Sequence, residues 1–241
     1  MATQTASGAT SYITYGSQFT NGYGALTVVA FIKSNSTNTD RGFFQTRTDA
    51  ITGGRDEPLC MRYDQAGASG GGSNLMKVAC DNTGKTNQGY ESANNTQTTA
   101  FQSMILAWEA GDRERLYING VEDTPTYAPA TGSGVTVNAN SFWMHRGGKD
   151  ATNAWDGVVY EIRVYSRKLT AAEILTIHTM RGLDSIKNGL IHHWHGDEGA
   201  PGTNVSTILD RSGNGHTGTA GGTNTPTFAA DLVHFRRRRA A

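Results

Sequence analysis

Residues 156–166 read DGVVYEIRVYS, and no other stretch limits the possible folds of the chain as strongly. Successive side chains on a strand point to opposite faces. The spacing therefore predicts Val158, Tyr160, Ile162 and Val164 on one face and Glu161 and Arg163 on the other, a strand with one face in a core. Leu26–Lys33 (LTVVAFIK) is apolar on both faces, as an inner strand is. Gly42–Thr46, Phe101–Trp108 and Ser141–Arg146 are shorter candidates. Arg115–Gly120 (RLYING) ends in Asn119-Gly120, a hairpin signal whose two positions take positive φ. Thr170-Ala-Ala-Glu173 is a capping box, Leu169 is placed to staple onto Ile174, and Gly182 suits the left-handed position that ends a helix. Ile174, Ile177 and Met180 are expected to press that helix, near 170–181, onto a sheet. One short helix among many strands makes the class all-β. Ala66–Asn74 and Gln88–Thr99 read as solvated loops.

Size and charge narrow the reading. All-β domains often run to ~200–250 residues as one unit, so 241 residues suit a single large sandwich. Glycine is abundant at 30 residues and proline scarce at 5, as expected of many strands joined by tight turns. Lys and Arg number 21 against 21 Asp and Glu, so no global field points to nucleic acid or a membrane. No apolar run approaches the ~20 residues of a membrane helix. Met1–Gly8 lacks a basic start followed by an apolar stretch, so the chain is expected to be made in a cytosol without a secretory signal. Cys60 and Cys80 fall in runs that read as neighbouring strands; a hairpin would bring them close enough for a disulfide, while a reducing compartment favours two free thiols.

Segment 157–174 resembles a run found late in concanavalin A-like, laminin-G-type jelly rolls, through Gly157, Glu161, Arg163, Tyr165, Arg167, Leu169, Glu173 and Ile174. Gly189-Leu-Ile-His-His-Trp194-His-Gly-Asp197-Glu198-Gly followed by Asp210-Arg-Ser-Gly-Asn-Gly-His-Thr-Gly218 is similar to the opening of the same family. The resemblance implies a jelly-roll β-sandwich of two antiparallel sheets over residues 1–235, with a basic tail at 236–241. The family's opening segment then stands C-terminally, at 185–230. It is expected either to complete its own sandwich, as a circular permutation would, or to pair with another copy's edge. The run Arg181-Gly-Leu-Asp184-Ser-Ile, the segment Glu198-Gly-Ala-Pro-Gly202 and the arginine tail also resemble small laminin-G-like proteins of tailed-phage virions. That resemblance implies a decoration or appendage subunit at a virion surface, with virion proteins or copies of itself as partners. The alternative is a module binding surface glycans; a glycoside hydrolase is the third reading.

Retaining hydrolysis needs two carboxyl groups ~5–5.5 Å apart. Asp156 and Glu161 are expected on opposite faces of their strand, and Asp112, Glu114, Glu122 and Asp123 read as solvated turn charges. No serine sits in a nucleophile elbow. His193, His195 and Asp197 share a strand face and would suit a divalent ion, although imidazoles beside an inward Trp194 account for the same pattern. The family's usual ion is calcium, for which Asp197, Asp210 and Asn214 are the candidate oxygen donors; the same residues are also plain turn chemistry. Tyr23, Tyr90, Tyr127 and Trp155 are the loop aromatics that would stack on a sugar. Arg236, Arg237, Arg238 and Arg239 form the one dense charge run, either a solvated tail or a hook for a neighbour's carboxylates.

Overall fold

A computed structural model describes residues 2–5, 11–16, 19–46, 59–65, 73–80, 89–128, 131–132, 134–136, 142–145, 154–196, 198–222 and 225–229. Among these, two antiparallel sheets face each other, each of eight strands. The first runs β10 (Val121–Glu122), β9 (Arg115–Ile118), β8 (Phe101–Glu109), β3 (Ala25–Ser34), β12 (Gly157–Tyr165), β1 (Ala2–Thr5) and β16 (Thr227–Ala229), with β13 (Leu190–His195) also paired to β12. The second runs β14 (Thr207–Ile208), β15 (Gly218–Gly221), β2 (Tyr12–Thr14), β11 (Trp143–Met144), β4 (Arg41–Gln45), β5 (Leu59–Asp64), β6 (Leu75–Cys80) and β7 (Tyr90–Glu91). The C-terminal segment thus adds strands to both sheets: β13 and β16 to the first, β14 and β15 to the second.

Two apolar layers hold this arrangement. Between the sheets lie Val28, Ala30, Ile32, Phe43, Phe44, Met61, Tyr63, Trp108, Trp155, Ile162 and Trp194, all buried. On the outer face of the first sheet, Val29, Phe31, Ile105, Ala107, Tyr160 and Tyr165 are covered by Leu169, Ile174 and Ile177. The double-sided apolarity of Leu26–Lys33 is the consequence, because that strand is buried on both faces. Each fully buried Ile or Leu contributes roughly 1.5–3 kcal/mol, enough to hold a helix of this length in place. Helix α1 (Ala171–Met180) starts at the Thr170 capping box and ends with Arg181 and Gly182, both left-handed at φ 49° and 76°. Met180 does not press on the sheet; it is 45% exposed at the last turn.

The alternation expected along β12 is broken by a bulge. Val159 pairs with Ile32 and Glu161 with Phe31, leaving Tyr160 as the extra residue. Val159, Ile162 and Val164 therefore face the inter-sheet core, while Val158 and Tyr160 join the outer layer. Glu161 and Arg163 lie on that same outer side and are buried as well, so both faces of the strand are covered.

Local signals elsewhere match the backbone. Asn119 and Gly120 turn at φ 53° and 81° between β9 and β10. Cys60 and Cys80 are buried and are not joined in a disulfide. Leu59 pairs with Cys80 and Cys60 with Ala79, so the two thiols sit one register apart and point to opposite faces. Residues 88–99 are not wholly a solvated loop, since β7 lies within them and Ser92 and Gln97 are buried. Glu114 is not a solvated charge either: it is fully buried and accepts the Cys80 N–H at 3.2 Å. No helix among the described residues is long and apolar enough to cross a membrane.

Candidate functional site

The outward face of the second sheet gathers polar and aromatic side chains in rows. Ile13, Met144, Phe44, Met61 and Val78 align across five strands and face the core. Their neighbours Thr219, Thr14, Trp143, Gln45 and Cys60 align across the same sheet and point the other way. A parallel row carries Arg62, Lys77 and Glu91, and an isolated bridge brings Tyr127 beside Glu91. These charged residues are buried, with Arg62 Nη1 bound to Asp64 Oδ2 at 2.9 Å.

One spot on this face is aromatic and still open. The Tyr12 and Trp143 rings meet at 4.5 Å between centroids with their planes tilted by 57°. Both side chains are half-buried, and Thr219 beside them is exposed. Gly221 makes room for the Tyr12 ring, since a Cβ there would come within 2.7 Å of it. Ring surface next to hydroxyls is what a sugar requires: its C–H face stacks on the ring while its hydroxyls find polar partners. Neither residue figures among the aromatics expected from sequence. Phe142-Trp143-Met144 held the signal, because alternation places Trp143 opposite two core residues.

The expected loop aromatics go elsewhere. Trp155 is fully buried in the core between the sheets, against Phe43 at 5.4 Å and Tyr63 at 5.9 Å. Tyr90 is 2% exposed and donates its hydroxyl to Asp123, at 2.9 Å to the carbonyl and 2.8 Å to Oδ2. Tyr23 is half-buried on the inter-sheet core. Tyr127 is half-buried beside β7. The four do not form one platform.

Asp210 and Asn214 organise the turn between β14 and β15. Asp210 Oδ1 accepts from the N–H groups of His193 and Ser212, and Oδ2 from Ser212 Oγ and the His216 N–H. Asn214 turns its NH₂ toward the Ile191 carbonyl at 3.1 Å and Ser212 Oγ at 3.1 Å. Asp197 and Arg236–Arg239 lie outside the described residues. On β13, His193 and His195 share the outward face, their rings 6.4 Å apart, and His193 Nε2 is 2.8 Å from Glu161 Oε1. His192 instead turns inward with Trp194.

Glu161 is the hub of the buried polar group on the first sheet. Burial alone raises its pKa; the His193 hydrogen bond and the Arg163 charge outweigh this and hold it below the ordinary carboxylate value. Arg163 reaches Asp184 at 2.9 and 3.0 Å, the Gly182 carbonyl and Tyr165 Oη at 3.4 Å. These contacts tie the segment after the helix to β12.

No curated protein sequence matches the chain. Among solved structures, it is similar to a protein of Bacteroides ovatus ATCC 8483 provisionally assigned as carbohydrate binding, with 19% identity and a TM-score of 0.68 over 97% of this chain. The chain spans 61% of that protein's length. It is also similar to a native heptameric SAP-like pentraxin of Limulus polyphemus, at 14% identity and a TM-score of 0.56, covering 94% of this chain and 93% of the other. These likenesses concern the fold. The Laminin_G_3 family, described as the concanavalin A-like lectin/glucanases superfamily, matches residues 7–175, and the chain belongs to it.

Proposed function

We propose that the protein is a non-catalytic carbohydrate-binding module whose ligand stacks on Trp143 and Tyr12, on the outward face of the second sheet. The observation that carries this is the half-open ring pair at 4.5 Å, in which Trp143 aligns across the sheet with Thr14 and the exposed Thr219. A superfamily of lectins and glucanases and a structural relative assigned as carbohydrate binding support the same direction. The ion pairing favours binding over hydrolysis. Glu161, Glu173 and Asp112 each bond to an Arg or Lys, which stabilises the ionised form and disfavours a general acid. The test is a glycan array with and without calcium, followed by titration of the best hit. Trp143→Ala should weaken binding at least about tenfold, in line with an interface anchor worth more than ~1 kcal/mol, with only a modest fall in Tm. A blank array in both conditions would refute the reading.

The run Arg236–Arg239 favours a second, compatible reading, a virion decoration or appendage subunit whose tail pairs with carboxylates of a neighbour. It predicts an assembly of full-length protein that dissociates when the chain is ended at His234. A monomer in both cases, by mass in solution, removes it.

A further inference from the structure

His192 occupies an unusual place for a histidine. It faces inward from β13, opposite Val164, fully buried, and neither of its ring nitrogens has a hydrogen-bond partner among the described residues. A neutral imidazole has one donor and one acceptor, and each buried polar group left unmet costs about 1–3 kcal/mol. Aromatic rings enclose it: Tyr15 edge-on at 4.6 Å and Phe19 stacked at 4.8 Å. Tyr15 adds a buried hydroxyl that also lacks a partner.

The polar neighbours of that ring form a set. His192 Nδ1 is 3.6 Å from Asp210 Oδ1, too far for a hydrogen bond. Two ligands on one tetrahedral ion, each about 2.0–2.1 Å from it, stand roughly 3.3 Å apart. His216 completes the group, and one potential ligand atom from each of the three residues lies within 4.8 Å of the others. Phe19 stacks on the His216 ring too, at 4.5 Å.

We propose that His192, Asp210 and His216 bind a divalent transition-metal ion of the zinc class. Two imidazoles and one carboxylate suit zinc or cobalt, whereas calcium takes six to eight oxygens. The carboxylate is already positioned by its bonds to the 210–216 turn. Ser212 Oγ has one proton and two acceptors in reach, Asp210 Oδ2 at 2.8 Å and the Ile191 carbonyl at 3.2 Å. It can turn to Ile191 and release a lone pair of Oδ2 to the ion. His216 Nδ1 stands 3.5 Å from Asp210 Oδ2, near the spacing of two ligands on one ion, and would leave its 3.0 Å contact with the Ile191 carbonyl to bind. The His216 side chain is 22% exposed, against 0% for the other two, so the ion would enter and keep a water ligand on that side. Bound there, it would clip β13 of the first sheet to the turn between β14 and β15 of the second.

The site is distinct from the outward His193 and His195, which lie on the opposite face of β13 beside Glu161. The test uses full-length protein stripped with EDTA and titrated with Zn²⁺, Co²⁺ and Ca²⁺. Calorimetry, Tm and the visible spectrum of the cobalt form are read. One equivalent of Zn²⁺ should bind and raise Tm, and Co²⁺ should give the absorption of a nitrogen-ligated site. His216→Ala should weaken zinc binding beyond the ~10–100-fold lost with an outer-shell partner. His192→Phe, which fits the aromatic cage, should remove the zinc-dependent rise in Tm; His195→Ala should change neither. Should His192→Phe fail to fold, His216→Ala decides alone, because that ring is partly exposed. Absence of zinc and cobalt binding, a response to calcium alone, or zinc binding that survives His216→Ala would overturn the proposal.

Discussion

Glu161 and Gly182 share one space: a Cβ on Gly182 would overlap Glu161 Oε2. Gly182 is also left-handed, at φ 76°, where it closes the helix, and its carbonyl accepts from Arg163 Nη2. Two separate demands therefore exclude a side chain at this position. Gly22, at φ 82° with nothing within 4 Å of its would-be Cβ, faces only the left-handed backbone demand. Gly22→Ala is expected to cost about 1–2 kcal/mol from backbone strain. Gly182→Ala should cost at least ~2 kcal/mol more, as a clash in a packed site does. Urea unfolding of both variants measures the difference, and equal losses would show that Glu161 yields freely.

Arg163 supplies the positive charge that permits Glu161 and Asp184 to be buried together, with side-chain exposures of 3%, 1% and 2%. Removing one partner of a buried ion pair costs about 3–5 kcal/mol, and Arg163→Met is expected in that range. Arg163→Lys keeps the charge but loses the planar fork that spans Glu161, Asp184 and Gly182, and each group it abandons costs ~1–3 kcal/mol. Salt should change the Arg163→Met loss little, since buried pairs are weakly screened. A large salt dependence of that loss would mean the group is hydrated.

The features legible in sequence are those that short segments decide alone. Thr170 and Glu173 form both bonds of the capping box, and Asn119-Gly120 makes its turn, because neither depends on a distant partner. The bulge at Tyr160 was hidden, since it arises from the pairing of β12 with β3. Its effect on packing was large: it set Val158, Tyr160, Glu161 and Arg163 on one side. Trp155 read as a loop aromatic because local sequence does not say which turn the sheets enclose. The Tyr12–Trp143 pair was invisible for the complementary reason, since β2 and β11 meet only in the folded sheet. His192 stands between these cases. Its spacing of two from Trp194 places both on one face, but the orphaned ring nitrogens emerge only with the packing of Tyr15 and Phe19.

His145 gives the fold an acid limit of its own. It is fully buried at φ 63°, and burial lowers its pKa from 6.5 to about 3. The unfolded chain therefore binds this proton near pH 6.5 while the folded chain does not. Stability from this group is complete above pH 6.5 and falls as pH drops toward 3, by at most about 1.4 kcal/mol per pH unit. His145→Asn, which tolerates the left-handed backbone, should flatten the decline of unfolding free energy between pH 6.5 and 4.5. An unchanged slope would place the proton elsewhere. Below that window Glu173, held at about 2 chiefly by its Arg167 hydrogen bond, adds a further loss as pH falls from 4.5 toward 2, small because the pair is part-exposed.

Trp143 and Trp155 separate binding from stability. Trp155 is enclosed by Phe43 and Tyr63, so Trp155→Ala leaves a cavity and should cost about 3–5 kcal/mol, seen as a large fall in Tm. Trp143 is half-buried on the outward face, where truncation leaves a dent open to water rather than a void. Its loss is expected to cost about 1–2 kcal/mol of stability, within the ordinary range for single substitutions, while abolishing the stacking surface it forms with Tyr12. Trp143→Phe should then restore part of any glycan affinity that Trp143→Ala removes, because a smaller π-face still stacks. Affinity by calorimetry and Tm by fluorescence, measured on all three variants, test the pair. A Trp143→Ala protein that unfolds as readily as Trp155→Ala would make Trp143 a core residue, and the aromatic pair would no longer support a glycan site.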